Sequence, residues 1–141
     1  MYAFIYTNRQ PVTISAHSHL RYETEIKTAF RKYWPLTPVQ QGQFYGIVYY
    51  FHKKPNQIDA DNLSKPVFDA LKNELYVDDK HLRIVRSGVF DLKSANFDLI
   101  DITKMPDNVI PEFLAALDSS DHILYVEIGD LSYGMFEFGC E

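Results

Sequence analysis

Cysteine is almost absent: the 141 residues contain one, Cys140. It has no partner within the chain, which excludes an internal disulfide and points to a reducing compartment, the cytoplasm. Long apolar runs are missing too. Nothing approaches the roughly 18 residues of a membrane span, so no membrane partner is expected. Met1 leads straight into Tyr2-Ala3-Phe4-Ile5-Tyr6 with no basic region ahead of an apolar one, so no signal-peptide profile is expected. There is no internal repeat and no low-complexity stretch. With 46% hydrophobic and 15% aromatic residues, disorder is excluded as the overall class.

The most informative scarcity is of positive charge. The net charge of −5 argues against a nucleic-acid binder, which usually carries a basic footprint. The mean hides a gradient. Residues 1–104 hold all 14 lysines and arginines against 11 acids, whereas residues 105–141 hold eight acids and no lysine or arginine. The chain is a mildly basic body with a wholly acidic C-terminal quarter, an asymmetry that bears on partners.

What is present reads as one domain of alternating strands and helices. Strands are expected at Tyr2–Tyr6, Phe44–Phe51, Leu82–Phe90, Phe97–Ile102 and Ile123–Ile128. The near-continuous apolar run from Phe44 predicts a strand buried on both faces. A helix is expected over His19–Tyr33, with Leu20, Ile26, Ala29, Phe30 and Tyr33 as its apolar stripe, ended by Pro35 and Pro38. A second helix runs from Asp61 or Ser64 to Glu74, and a short one over Pro111–Leu117.

The chemistry concentrates in Ile58-Asp59-Ala60-Asp61-Asn62-Leu63-Ser64-Lys65-Pro66-Val67-Phe68-Asp69-Ala70-Leu71, followed by Asp78-Asp79. On a wheel advancing about 100° per residue, Asp61, Lys65, Phe68, Asp69 and Lys72 share one face, while Leu63, Val67, Ala70 and Leu71 form the other. Asp59 lies two residues before Asp61, a spacing that lets both carboxylates aim at one point from extended backbone. Carboxylates converging alone would repel one another and raise their pKa values. A divalent cation removes the conflict, and oxygen-only ligands suit Mg²⁺ or Mn²⁺. A lysine on the same face adds what phosphoryl hydrolysis needs. The bland alternatives are an N-cap for Asp61 or Ser64 and plain turn residues for Asp78 and Asp79. An EF-hand is excluded, because its loop glycine is missing.

The pattern D-x-D-N-L-x-K-x-x-x-D-A-L with a following D-D resembles the RusA family of Holliday junction endodeoxyribonucleases. The resemblance is specific over Asp59–Asp79 and extends over about Phe44–Ile102. The Pro- and Asn-rich segment the family carries after its first strand is only echoed by Thr7-Asn8-Arg9-Gln10-Pro11, and nothing after about Lys104 is covered. The resemblance implies an α+β fold, a mixed β-sheet with helices packed on it, here with an acidic C-terminal α/β extension. The body would be residues 1–104 and the extension residues 105–141 of the same domain. It implies a homodimeric, Mg²⁺-dependent nuclease that nicks branched DNA, with Asp59, Asp61 and Asp79 as metal-binding aspartates and Lys65 as the essential lysine. Asn62, Asp69 and Asp78 match motif positions of less defined role.

Weaker signals surround the motif. Lys53, Lys54 and Lys72 are expected to touch DNA phosphates, and Phe68 either packs or stacks on an unpaired base. Arg83 and Arg86, three apart on a strand, point to opposite faces. His17-Ser18-His19 lacks the cysteines or acids of a metal site. Trp34 reads as a core or interface anchor. The rival functional reading is a RusA-fold binding or regulatory module, with the acidic extension occluding the DNA groove or binding a basic partner. A third is a metal-dependent phosphatase or nuclease on other substrates.

Overall fold

The computed structural model describes residues 1–93, 100–132, 134, 138 and 139. Its elements run β1 (Tyr2–Tyr6), α1 (His19–Tyr33), β2 (Phe44–His52), α2 (Ala60–Leu71), a 3₁₀ turn at Asp79–His81, β3 (Leu82–Asp91), α3 (Ile110–Ser119) and β4 (His122–Asp130). Seven of the expected elements lie where the sequence puts them, to within a few residues. Residues 97–99 of the expected strand Phe97–Ile102 fall outside the described residues, as does Cys140; Ile100 to Ile102 is irregular.

The sheet order is β1-β4-β2-β3, with β2 and β3 parallel and the other pairs antiparallel. The parallel pair needs a crossover, which α2 supplies. β4, from the acidic quarter, is not appended at an edge: it lies between β1 and β2 and pairs with each along its length.

Alternation along the strands sends side chains to two cores. Phe44, Val48 and Tyr50 of β2 join Phe4, Tyr6, Leu124, Val126 and Ile128 under α1 and α2. On the opposite face Phe51 joins Ala3, Ile5, Ile123 and Tyr125 under Phe113 and Ala116 of α3. β2 is thus covered on both faces, as its apolar run predicts. α1 is held through Tyr22, Ile26 and Phe30, an i, i+4, i+8 row whose rings meet Tyr6 and Phe4 edge-on. The expected stripe errs at Leu20, which lies off that row and is exposed. Trp34 anchors the end of α1: its indole N–H donates to the Ala3 carbonyl at 2.9 Å.

α2 buries more of its circumference than the wheel predicts. Leu63, Pro66, Val67, Phe68, Ala70 and Leu71 are all inside, because the helix is packed against α1 as well as the sheet. Phe68 lies over β2 at Gly46, where any Cβ would overlap the ring. Glycine permits this close approach of helix to strand. α2 stops at Leu71. Lys72 is already extended, and Asn73 takes a left-handed φ of 69° to begin the return to β3.

Candidate functional site

Asp59 occupies the N-cap position of α2 in extended conformation (φ −86°, ψ 150°), but its side chain makes no capping hydrogen bond. Only its carbonyl is used, accepting from the Asn62 N–H at 3.1 Å. Asp61 sits in the first turn, where the helix dipole favours a negative charge. Both carboxylates are exposed, and neither has a hydrogen-bond or ion-pair partner among the described residues. The N-cap explanation therefore does not account for either side chain. Asn62 is exposed beside them. Its carbonyl loses its usual partner, because Pro66 has no N–H to offer four residues on.

One turn along, the Lys65 ammonium donates to Asp69 at 2.6 Å. That hydrogen bond raises the Lys65 pKa, and the negative charges of Asp69, Asp79 and Glu23 add to it against partial desolvation. Asp79 thus acts on Lys65 through space, which ties the two halves of the motif together. Lys72 reaches Asp79 at 3.8 Å and Lys80 reaches Asp78 at 3.9 Å. Asp78 accepts the Lys80 backbone N–H, which lowers its carboxyl pKa. It caps the 3₁₀ turn, so the turn-residue reading holds for Asp78. Glu23, on α1, is the addition that local sequence does not reveal. Packing of α1 on α2 lets its charge act on a lysine more than forty positions away.

The donor chemistry fits a hard divalent cation: exposed, uncommitted carboxylate oxygens. The three aspartates are not gathered into one centre, however. Among the described residues no group of three or more His, Cys, Asp or Glu is placed to hold a metal ion. Asp59 and Asp61 stand at the N-terminal end of α2, while Asp79 lies past its C-terminal end and leans to Lys72.

Two expectations for DNA contact change. Phe68 is buried and cannot stack on a base; the helix face assigned to the site is in part core. Lys54 is not a free cation. It pairs at 3.0 Å with Asp121, at the start of β4, and that bond lowers the Asp121 pKa. Lys53 gives its backbone N–H to the Asp121 carbonyl. Arg86 sits opposite Ile47, on the α3 face of the sheet and away from α2.

A family model for endodeoxyribonuclease RusA matches residues 4–102, well over half of the chain. The chain belongs to the RusA family. No curated protein matches it. The RusA match begins in β1 and ends ahead of α3, so β4 and α3 lie outside it. Family membership makes the chain one of the endodeoxyribonucleases and places the Asp59–Asp79 stretch within the matched region. Among the described residues no helix is long and apolar enough to cross a membrane.

Proposed function

We propose that this RusA-family chain is a metal-dependent endonuclease that hydrolyses phosphodiesters of branched DNA, Holliday junctions above all, in recombination and repair. The observation that carries this reading is the pair of exposed, unpartnered carboxylates Asp59 and Asp61, one turn from the charged Lys65. Asp59 and Asp61 would hold Mg²⁺ or Mn²⁺, with Asp79 a ligand only where it is drawn away from Lys72 toward them, and the ion would supply Lewis-acid stabilisation of the reacting phosphate. Lys65 keeps its proton at neutral pH and acts as a positive charge toward the phosphate, not as a base. Asp69 orients that ammonium. Lys53 and Lys72 would meet flanking phosphates, with Lys54 joining if DNA draws it from Asp121. A cytoplasmic homodimer would present two such sites to the two strands of a symmetric junction.

A synthetic four-way junction, a linear duplex and a single strand, each with Mg²⁺ or Mn²⁺, test the proposal. Nicking of the junction is expected, and its loss in Asp79→Asn. No cleavage of any substrate by the intact protein would falsify the catalytic claim. A second reading, a RusA-fold DNA-binding or regulatory module, draws on the absence of a three-ligand cluster among the described residues. It predicts junction binding without nicking. The acidic segment could serve a basic partner in either case. Its helix α3 does not lie over α2, because it packs on the opposite face of the sheet.

A further inference from the structure

β2 presents Phe44, Val48 and Tyr50 to the core beneath α1 and α2, and strand alternation puts His52 on the same face. His52 is 9% exposed, a polar ring closing an apolar row. Burial of a polar group costs free energy unless it finds a partner. The His52 Nδ1 lies 2.8 Å from the Lys54 carbonyl oxygen. A carbonyl only accepts, so Nδ1 carries the proton and donates.

That bond falls where the chain leaves the sheet. The His52 carbonyl accepts the Leu92 N–H, and the Lys53 N–H donates to the Asp121 carbonyl. The chain is held from both flanks as far as Lys53. The Lys54 carbonyl is then taken by the imidazole instead of a strand. From there to α2 few torsions stay free. Lys54 precedes a proline, which confines it to extended backbone, and Pro55 has a fixed φ. The Asn56 Oδ1 accepts the Ile58 N–H at 3.0 Å, closing a local turn. The Asp59 carbonyl accepts the Asn62 N–H, which starts the helix. The Asp59 and Asp61 side chains have no partner among the described residues, so the course of the backbone alone aims their carboxylates.

We propose that His52 is a positioning residue for the Asp59–Asp61 carboxylate pair. Its Nδ1–H turns the chain off β2 and fixes the loop that delivers Asp59 to the start of α2. The inference rests on the metal-dependent nuclease reading above and deepens it. His52 acts through the loop backbone and not by contact with metal or DNA.

The test compares His52→Leu, which keeps the burial and removes the donor, with His52→Asn, whose side-chain amide offers an N–H in its place. Amide hydrogen exchange on the full chain, without metal or DNA, reads the loop. His52→Leu should speed exchange of the Ile58 and Asn62 amides by about tenfold, the effect of one lost hydrogen bond, while the β2–β4 ladder keeps its protection. His52→Asn should restore most of what is lost. Mn²⁺ titration followed by electron paramagnetic resonance should give a Kd about tenfold weaker in His52→Leu, the scale on which supporting groups tune a metal site, with recovery in His52→Asn. Junction nicking by His52→Leu should lose kcat with KM kept. Exchange at Ile58 and Asn62 unchanged in His52→Leu, or as fast in His52→Asn, would overturn the inference, as would faster exchange with Mn²⁺ affinity unchanged. If leucine leaves no cooperative thermal transition, His52→Phe, which keeps a ring in place, is read by the same criteria. Exchange responding as expected in a chain whose wild type binds no Mn²⁺ would uphold the positioning and defeat the metal-dependent reading instead.

Discussion

Lys65 is the residue on which charge and chemistry meet. Its pKa is raised, first by the hydrogen bond to Asp69 and then by surrounding carboxylates. A raised lysine contributes stability that is complete below its unfolded value of 10.5 and lost as pH rises through the higher folded value. It therefore does not titrate near neutrality. Lys65→Met should lower kcat by about 10²–10³-fold with little change in Tm, the size expected for one lost electrostatic contact to the transition state. A pH–rate profile below pH 9 should show no limb belonging to Lys65. Tyr22 offers a residue-scale test of packing. Its hydroxyl is buried without a partner, and burial pushes its pKa far up. Tyr22→Phe should be neutral or stabilising by about 1 kcal/mol in urea unfolding, because it removes an unmet polar group from the core.

At the scale of elements, the contact that seats α2 is Phe68 on Gly46. Because a Cβ at position 46 would overlap the ring, Gly46→Ala should cost about 1–3 kcal/mol, the usual penalty for overpacking. Phe68→Ala should cost about 3–5 kcal/mol through the cavity it leaves. Both are read from urea denaturation midpoints. Loss of nuclease activity should follow, since Asp59, Asp61 and Lys65 ride on this helix. The β2–β4 pair carries a pH-sensitive contact. His52 and His122 are register partners, and His122 Nδ1 lies 2.7 Å from the Tyr50 hydroxyl. The phenol keeps its proton, since burial pushes its pKa up to about 12, so Tyr50 donates and the imidazole accepts. Burial lowers the His122 pKa below 6.5, with Lys54 and His52 also lowering it and Asp121 opposing. The unfolded chain then binds the proton more tightly, so stability present above pH 6.5 falls as pH drops through the lowered folded value. His122→Gln should flatten that part of a Tm-against-pH curve.

Across the whole molecule, the acidic quarter is structural. β4 supplies the strand between β1 and β2, and α3 covers the second core. Several of its acids are engaged with the body: Glu112 accepts from Tyr33, Asp121 pairs with Lys54, and Glu127 accepts from Tyr45 at 2.6 Å and from Tyr125. Truncation after Lys104 should therefore unfold the protein, seen as loss of near-UV circular dichroism and of a cooperative thermal transition. A folded, active truncated chain would show that β4 is dispensable. The net charge of −5 is thus a poor guide to the surface that DNA would meet.

Local pattern was enough for most elements, because strand alternation, helix periodicity and proline stops act over a few residues. The motif from Asp59 to Asp79 was equally legible, since its residues sit on one helix and the turn after it. What one helix wheel could not show was how many neighbours α2 would have. Burial of Phe68 depends on Gly46, and the charge of Glu23 felt at Lys65 depends on where α1 packs; both arise from residues far apart in the chain. The place of β4 was likewise beyond the sequence. Its apolar residues determine that it is buried, but strand order follows from which edges remain to be paired once the βαβ unit and β1 are in place. The sequence determined the elements and the charged residues that α2 and the turn after it present. The tertiary structure decided which faces are core and that β4, from the acidic quarter, completes the sheet between β1 and β2.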